Sequence, residues 1–389
     1  MTLDRRQFLH LAGLTTLGGA TGALGLGASL TGCGNQSHAI TATPIRFPPA
    51  LRPGDLMGIT SPTAGVKAAL GPRMGFAYDT LGALGYRYRE GNCLWGEGLL
   101  SAPAAERAAE LQRMLLDPAI AAVFPPDGGE LLIDILPLLD FEALAQAPPK
   151  WVIGYSDLST FMLPYTLLTG IATLSGTNLW ECPINPTAPG LAYWQEVVTL
   201  ESGATFSQRA ADLYQPHDSD WAQLPPDTTQ FDRTALVRWQ CLGHEDQPAY
   251  HLEVSGRLIG GTLDVIGMLA GSAYGDLRRF ASTHAHEGLL VYLDNCDYNT
   301  AQYCRALHHL RLAGWFDAAN AVLIGRTAAE SVEGFSQRDA LLNALGDLDI
   351  PVLYDLDIGH LPPQLMLING ALASLRFGLG EWRIDQTLA

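Results

Sequence analysis

The chain has 389 residues, of which 48% are hydrophobic and 16% are charged, a composition typical of a globular protein with a substantial core. Lysine and arginine total only 23 against 40 aspartate and glutamate residues, which gives a net charge of −17. Such a chain lacks the basic surface that nucleic-acid binding needs, and anionic lipid headgroups repel it. Attachment to a membrane would therefore need a dedicated anchor.

The first 33 residues have the features of such an anchor. Arg5 and Arg6 precede a mildly apolar stretch rich in glycine and alanine, as in a twin-arginine export signal. The stretch ends in Leu30-Thr31-Gly32-Cys33, which is typical of a lipoprotein processing site where Cys33 receives the lipid. A retained transmembrane helix is the alternative, but the small residues at the processing site favour removal. We therefore predict an exported protein whose lipid alone holds it at the bacterial cell envelope.

The cysteines argue against a disulfide framework. Once Cys33 carries lipid, an odd number remains, so a complete set of pairs is not expected. Twin-arginine substrates fold in a reducing compartment before export, which favours free buried thiols. The cysteines concerned are Cys93, Cys182, Cys241, Cys296 and Cys304.

Composition and periodicity divide the chain into five segments. Residues 1–32 are the predicted signal and 33–46 a polar tether. Residues 47–182 form an N-terminal α/β domain, and 183–234 are a connecting segment rich in proline, glutamine, aspartate and serine. The rest, 235–389, is a C-terminal domain.

The N-terminal domain alternates strand and helix patterns, which predicts a parallel α/β layer. The predicted strands are 56–60, 86–90, 119–124 and 151–154, and the predicted helices are 73–84, 104–116, 130–139 and 158–169. In the C-terminal domain the predicted strands are 235–240, 250–254, 289–293, 321–324, 352–355 and 371–377, and the predicted helices are 262–269 and 301–313.

The most specific local signal is Gly154-Tyr155-Ser156-Asp157, where a strand ends in a tight turn and a helix begins. This arrangement exposes a serine hydroxyl above a sheet edge and directs backbone N–H groups toward it. Leu158 stands where the nucleophile elbow of α/β-hydrolases has a second glycine, so that signature is absent. The alternative is a simple helix N-cap by Ser156 or Asp157.

Three further positions are candidates. Asp127-Gly128-Gly129-Glu130 follows a strand, and its glycines permit close approach to a ligand and donation to an oxyanion, or form an ordinary turn. His360 lies in a loop after a strand, where catalytic histidines are common. Asp294 closes a strand and would orient an imidazole, or is a turn residue.

No metal site is predicted. His284 and His286 would point to the same side of an extended chain, but no third and fourth ligands follow at a recognisable spacing. His308 and His309 are adjacent on a predicted helix, where their side chains diverge.

Taken together, these segments resemble the LD-carboxypeptidase family of serine peptidases, which includes the microcin C self-immunity peptidases. The resemblance spans nearly the whole chain after the leader, and the segment 149–157, which contains Ser156, is its most specific part. The other matching segments are 51–55, Ser61-Pro62, Glu106-Arg107, Asp117-Pro118, Asp127-Gly128-Gly129, 256–263, Gly359-His360 and Asn369-Gly370.

The resemblance implies a Ser–Glu–His triad, with Ser156 as nucleophile and His360 as base. The family's glutamate closes a strand, and this chain has Asp294 in that place, one methylene shorter. Asp serves in many such triads. Glu287 is the alternative acid.

The resemblance also implies a flavodoxin-like N-terminal α/β domain and a smaller β-rich C-terminal domain, with the active site between them. The backbone N–H groups of Asp157 and Gly129 would hold the oxyanion, and Gly128, Gly260 and Gly261 would contact substrate. No cofactor or metal is expected.

The family substrate would be a muropeptide tetrapeptide, cleaved at the L,D bond before its terminal D-alanine. The first glycine segment resembles the microcin-immunity branch, so a peptide-like conjugate is an alternative substrate. A non-catalytic ligand-binding lipoprotein is a third possibility. A second copy of the chain is an optional partner.

Overall fold

The computed structural model describes residues 42–185 and 190–389. The predicted export signal, Cys33 and most of the predicted tether lie outside these residues. The chain from Ala42 to Ala389 forms a single compact unit. None of the helices in residues 42–185 and 190–389 has the length and hydrophobicity of a membrane span.

The structure contains strands and helices throughout this unit. The strands are β1 (Leu56–Ile59), β2 (Arg87–Glu90), β3 (Ile120–Val123), β4 (Trp151–Gly154), β5 (Thr173–Ser175), β6 (Thr205–Arg209), β7 (Leu213–Tyr214), β8 (Ala235–Leu236), β9 (Gln240–Cys241), β10 (Leu252–Thr262), β11 (Leu289–Asp294), β12 (Ala319–Gly325), β13 (Val352–Leu356), β14 (Leu367–Asn369), β15 (Leu372–Phe377) and β16 (Arg383–Thr387). The α-helices are α1 (Gly71–Ala83), α2 (Ala104–Leu116), α3 (Phe141–Gln146), α4 (Ser159–Thr169), α5 (Trp194–Val198), α6 (Leu263–Ile266), α7 (Leu277–His284), α8 (Thr300–Leu312) and α9 (Gln337–Leu345). Short 3-10 helices cover Ala68–Leu70, Leu132–Leu138, Ser156–Leu158, Leu179–Glu181 and Gly267–Leu269.

The first sheet has the strand order β14-β5-β4-β3-β1-β2. Strands β1 to β5 pair in parallel, and only β14 is antiparallel. The order 2-1-3-4-5 is that of flavodoxin-like sheets, in which ligands bind beyond the carboxyl ends of the strands. The predicted N-terminal fold is therefore confirmed, and β14 ties the C-terminal half of the chain to this sheet.

The second sheet has the order β6-β16-β15-β10-β11-β12-β13-β9. Its central strands β10 to β13 are parallel, and the outer strands pair antiparallel. Strand β11 is buried at all six positions, as expected for a parallel strand with both faces covered. The carboxyl ends of β11 and β13 lead to Asp294 and the loop of His360.

Helix α4 lies at the junction of the two sheets and contacts β10, α6, α7 and β14. Only Leu168 among its eleven residues is not buried, which explains why its hydrophobic residues follow no one-sided pattern. One continuous core cluster includes Trp151 and Phe161 on one side and Ile259 and Leu293 on the other. Both halves of the chain therefore pack around the helix that follows Ser156.

Gly261 allows this close packing. A Cβ at this position would lie 2.6 Å from the Cβ of Ser159, and the glycine has a φ of +152°. The backbone N–H of the next residue, Thr262, donates to Ser159 Oγ at 3.3 Å. The backbone of strand β10 thus packs directly against the Ser159 side chain of helix α4.

Several predicted elements differ from the structure. The predicted strand 235–240 is wrong, because the chain there forms only the two-residue strands β8 and β9. The predicted helix 130–139 is a 3-10 helix, Leu132–Leu138, which contains Pro137. Proline removes a backbone donor and so disfavours a regular α-helix at this point.

We expect Gly261→Ala to lower the free energy of unfolding by about 1–3 kcal/mol, because the added methyl group overlaps Ser159 in a closely packed junction. Urea unfolding followed by circular dichroism measures this change. Gly75→Ala is the matched control: Gly75 lies within α1, and nothing lies within 4 Å of an added Cβ. The control should be neutral or stabilising by about 0.5–1 kcal/mol. Equal midpoints for wild type and Gly261→Ala would contradict the proposed packing role.

Candidate active site

The turn after β4 holds Ser156 in an unusual backbone conformation. Its φ is +64°, which costs a non-glycine residue about 1–3 kcal/mol and is common at functional sites. Gly154 makes the turn possible, because a side chain there would overlap Leu158 and approach Asn178 Oδ1. Tyr155 is held by its neighbours: its backbone N–H donates to Asn178 Oδ1 at 3.2 Å and its hydroxyl to Glu181 Oε1 at 2.8 Å.

Ser156 does not act as a helix cap in this structure. The short 3-10 helix Ser156–Leu158 starts at this residue. Neither this 3-10 helix nor the following helix α4 has a side-chain hydrogen bond at its N-cap. Instead, Ser156 Oγ lies 3.0 Å from Nε2 of His360. The N-cap alternative for Ser156 is therefore wrong.

His360 connects Ser156 to Asp294. The Nδ1 atom of His360 lies 2.7 Å from Asp294 Oδ2. The other carboxylate oxygen, Oδ1, accepts a hydrogen bond from Thr262 Oγ1 at 2.9 Å. The side chain of Asp294 is only 4% exposed and that of His360 11%, so both are shielded from water. The three predicted residues thus form one hydrogen-bonded array, with Thr262 as a fourth member.

Asp294, although shorter than glutamate, reaches His360 because the residue before the histidine is a glycine, Gly359. Gly359 has a φ of +90°, and a side chain there would overlap the carboxylate of Asp294. On the other side, a Cβ at Gly325 would lie 3.1 Å from the Cβ of Asp294. The backbone of the His360 loop therefore approaches the acid as closely as glycine permits.

The surroundings of His360 favour its protonated form. Burial alone lowers the pKa of the imidazole, but the hydrogen bond and charge of Asp294, together with the adjacent Cys296 thiol, raise it well above its usual value. The ring of Tyr155 packs against the imidazole with centroids 5.0 Å apart. Such an array stabilises the imidazolium that forms when histidine accepts a serine proton.

The glycine segment after β3 lies directly against the nucleophile. A Cβ at Gly128 would lie 2.9 Å from Ser156 Oγ and 3.1 Å from the backbone nitrogen of Asp157. That nitrogen belongs to the first turn of a helix, where N–H groups lack intrahelical acceptors. Gly129 packs against Thr63. The predicted oxyanion role of Asp157 and Gly129 remains a prediction.

The side chain of Asp157 makes structural hydrogen bonds, which are separate from the predicted oxyanion role of its backbone N–H group. Its Oδ2 accepts hydrogen bonds from Thr63 Oγ1 at 2.5 Å and from the backbone N–H of Leu132 at 2.9 Å. Its Oδ1 accepts from Thr160 Oγ1 at 3.1 Å. This carboxylate therefore fixes the loops after β1 and β3 around Ser156.

A cavity of about 580 Å³ opens above Ser156 and His360. Its volume is that of a small-molecule or peptide site. Its aromatic lining residues are Tyr155, Trp221 and Tyr298, and its carboxylates are those of Asp127, Glu130, Asp157, Asp218, Asp264 and Asp297.

Two of the predicted substrate contacts need correction. Gly128 lines the cavity, but Gly260 and Gly261 do not. A side chain at Gly260 would overlap the backbone of Tyr292 on β11, and Gly261 packs against Ser159. Both glycines serve strand and helix packing behind the site.

The alternative acid lies elsewhere. Glu287 Oε1 accepts a hydrogen bond from Arg257 Nε at 2.6 Å, and it makes no contact with the His360 imidazole. His284 Nδ1 and His286 Nε2 each lie within hydrogen-bond distance of a backbone carbonyl, of Thr43 and Ser282 respectively.

Thr262, Asp264 and Cys296 also belong to the site, although no sequence motif marks them as site residues. Asp264 Oδ2 accepts from the backbone N–H groups of Cys296 at 3.0 Å and Asp297 at 2.5 Å. One carboxylate oxygen of Asp264, one of Asp297 and the sulfur atom of Cys296 lie within 4.8 Å of one another. The sequence shows that Cys296 and Asp297 closely follow Asp294. No sequence pattern, however, indicates that they lie beside Asp264.

Comparisons with known proteins match most of the chain. The LD-carboxypeptidase N-terminal domain matches residues 57–176, and the LD-carboxypeptidase C-terminal domain matches residues 255–375. A predicted carboxypeptidase of Vibrio cholerae is 27% identical over 354 residues, covering 86% of this chain and 96% of its own. The microcin C7 self-immunity protein MccF of Escherichia coli is 24% identical over 349 residues, covering 88% and 94%.

Solved structures show the same fold. Wild-type MccF without ligand superposes with a TM-score of 0.71 at 22% identity, covering 87% of this chain and 98% of its own. An MccF-like protein from Bacillus anthracis gives 0.71 at 20% identity, covering 88% and 99%.

The fold and the matched relatives define a hydrolase of the peptidase class. Because the two domain matches together span more than half of its length, the chain belongs to the LD-carboxypeptidase family.

We expect the imidazole of His360 to titrate above pH 6.5 in the wild-type protein, because Asp294 stabilises its charged form. Asp294→Asn removes that charge and should lower the pKa of His360. NMR titration of the histidine ring signals measures both values, with His360→Gln identifying the signal. A wild-type pKa at or below 6.5 would contradict this account of the array.

Proposed function

We propose that the chain is a serine-type carboxypeptidase, with Ser156 as nucleophile, His360 as general base and Asp294 as the orienting acid. The observation that carries the proposal is the continuous array from Ser156 Oγ to His360 Nε2, at 3.0 Å, and from His360 Nδ1 to Asp294 Oδ2, at 2.7 Å. It opens into a cavity of peptide size.

The array supports acyl transfer. Unprotonated His360 accepts the Ser156 proton as Oγ attacks the carbonyl carbon of the substrate amide. The backbone N–H groups of Asp157 and Gly129 stabilise the oxyanion, each contributing about 3 kcal/mol. The imidazolium then protonates the leaving amine, and His360 activates the water that hydrolyses the acyl-enzyme.

Our first candidate substrate is a muropeptide tetrapeptide, cleaved at the L,D bond before its terminal D-alanine. Membership of the LD-carboxypeptidase family supports this choice. So does the expected position of the protein in the cell envelope, where such peptides occur.

A second candidate is a peptide-like conjugate. MccF, a relative across most of the chain, has been solved with aspartyl sulfamoyl adenosine and with glutamyl sulfamoyl guanosine. In addition, no lysine or arginine is present among the described residues that line the cavity, so none of them offers a cationic side chain to a terminal carboxylate. This observation favours a substrate whose leaving group is not a free amino acid.

The test is mass spectrometry of a tetrapeptide muropeptide incubated with the full chain, purified in detergent. We expect loss of one alanine with wild type, and a fall of about 1,000-fold or more with Ser156→Ala and Asp294→Ala. Glu287→Gln is the matched control, since its carboxylate pairs with Arg257 away from His360, and it should retain activity.

The outcomes separate the candidates. Labelling of wild type but not Ser156→Ala by a serine-directed fluorophosphonate, without muropeptide cleavage, would leave the peptide-like conjugate as substrate. Absence of both labelling and cleavage would refute the serine mechanism and favour a ligand-binding lipoprotein.

For localisation, we propose export through the twin-arginine pathway and lipid attachment at Cys33. The paired residues Arg5 and Arg6 and the segment Leu30-Thr31-Gly32-Cys33 support this proposal.

Metabolic labelling with a radioactive fatty acid tests the anchor. The wild-type chain should incorporate the label in a bacterial host, and Cys33→Ala should not. Replacement of Arg5 and Arg6 by lysine should retain the unprocessed chain in the cytoplasm. Labelling of Cys33→Ala equal to that of wild type would show that the lipid is attached to another residue.

A further inference from the structure

The acid and the base of the array are carried by different strands of the second sheet. The imidazole of His360 lies on the loop of residues 357–366, between strands β13 and β14, whereas Asp294 ends strand β11. Strand β12 lies between β11 and β13 in the sheet. Its last residue, Gly325, packs against Asp294, since an added Cβ there would lie 3.1 Å from the Cβ of the aspartate. The carboxyl end of β12 therefore separates the acid from the loop that carries the base.

Arg326 directly follows β12, and its guanidinium binds the His360 loop at three points. Its Nη1 donates a hydrogen bond to Asp357 Oδ1 at 2.6 Å. Its Nη2 donates to the carbonyl oxygens of Leu361 at 2.9 Å and Pro363 at 3.1 Å. The guanidinium thus contacts the loop on both sides of His360, which its several N–H donors in a rigid plane make possible.

Both members of this ion pair are held by further contacts. Oδ2 of Asp357 accepts hydrogen bonds from the indole N–H of Trp239 at 2.7 Å and from the backbone N–H of Ala211 at 3.2 Å. The ring of Tyr214 packs over the guanidinium of Arg326, with 4.5 Å between the ring centre and Cζ. The two charged side chains are only 4% and 0% exposed. The pair therefore has little room for another arrangement.

Stability does not explain a buried ion pair at this position. Desolvation of two charges offsets most of their attraction. The Nε atom of Arg326 is also buried without a hydrogen-bond partner in residues 42–185 and 190–389, and such a donor costs about 1–3 kcal/mol. The pair instead favours a single geometry, because Asp357 and both carbonyls accept from one rigid group when the loop lies in its observed position.

Building on the proposed hydrolase activity, we propose that Arg326 is a positioning residue, which holds the His360 loop so that the imidazole reaches both Asp294 and Ser156. The imidazole contacts these two residues at 2.7 Å and 3.0 Å. A displacement of about 1 Å at such a site lowers the rate by about 100-fold. Arg326 does not line the cavity, so it acts through the loop and not on the substrate.

The test is Arg326→Lys, which keeps the positive charge but replaces the planar donor group by a single ammonium group. Labelling of Ser156 by a serine-directed fluorophosphonate is followed at several probe concentrations, with the full chain purified in detergent. We expect the limiting rate constant to fall about 100-fold, while the probe concentration for half of that rate changes by less than about twofold. A loss of rate without a loss of affinity distinguishes a misplaced base from a disturbed cavity.

Arg257→Lys is the matched control. Arg257 is also largely buried, forms an ion pair with Glu287 and donates to two backbone carbonyls, those of Gly370 and Ala389. It does not line the cavity. This variant should therefore keep the wild-type limiting rate, and circular dichroism shows whether each variant is folded.

A second measurement does not depend on the reaction. NMR titration of the His360 ring, in the Ser156→Ala background, gives the pKa of the imidazole, which Asp294 raises. Arg326→Lys should lower this pKa, because a longer hydrogen bond to Asp294 stabilises the imidazolium less. Arg257→Lys should leave it unchanged. The other groups that face the imidazole, Asp127, Tyr155 and Cys296, are the same in all of these proteins.

The outcomes separate the positioning role from the hydrolase. A wild-type limiting rate and a wild-type pKa in folded Arg326→Lys would overturn the positioning role, as would equal losses in Arg257→Lys. If Arg326→Lys does not fold, Tyr214→Leu removes the ring that packs on the guanidinium and should lower both quantities; wild-type values in Tyr214→Leu would then overturn the role. Absence of labelling in the wild type would refute the proposed hydrolase, and the pKa comparison alone would then decide whether Arg326 positions the imidazole.

Discussion

Formation of the site depends on the packing of helix α4 against strand β10. Ser156 precedes this helix, whereas Asp294 ends strand β11 and His360 follows strand β13 of the other sheet. The contact of Gly261 with Ser159 therefore helps to hold the hydroxyl and the imidazole at hydrogen-bond distance. A shift of one ångström at this junction would lengthen the 3.0 Å hydrogen bond beyond effective proton transfer.

The same constraint accounts for the glycines near the acid. Aspartate at position 294 has one methylene less than the glutamate implied by the family resemblance, so the imidazole must come closer to the strand that carries the acid. Gly359 permits that approach. Thr262 then satisfies the second carboxylate oxygen, which is otherwise buried without a donor. The shorter acid, the glycine and the threonine are thus parts of one arrangement.

The sequence predicted much of this site but not all of it. Ser156, Asp294 and His360 could be identified because each ends or follows a strand and matches a family segment. The packing roles of Gly260 and Gly261 could not be separated from ligand contact, since a glycine-rich strand end looks the same in either case. The hydrogen bond from the Asp297 backbone N–H to Asp264 Oδ2 depends on the register between β10 and β11, in which Thr262 lies opposite Asp294. Local periodicity shows which face of each strand is buried, but it does not show which residues of two parallel strands lie opposite each other.

The broken pattern from 235 to 241 shows a related limit. Its apolar residues Val237 and Trp239 are buried, as the predicted strand requires, yet they pack in a loop between β8 and β9. Trp239 donates its indole N–H to Asp357 Oδ2 at 2.7 Å. A buried polar partner far along the chain therefore determines the conformation here, and alternation alone predicted a regular strand.

Nearby charges determine the protonation state of the base, His360. Asp294 raises the pKa of His360, and the positive charge of an imidazolium in turn favours the ionised form of Asp127. A cavity that stabilises the imidazolium keeps His360 protonated, whereas attack by Ser156 requires the unprotonated ring. Ser156 therefore attacks in the fraction of molecules whose His360 is unprotonated, and that fraction grows as the pH rises, because Asp294 raises the pKa of the imidazole.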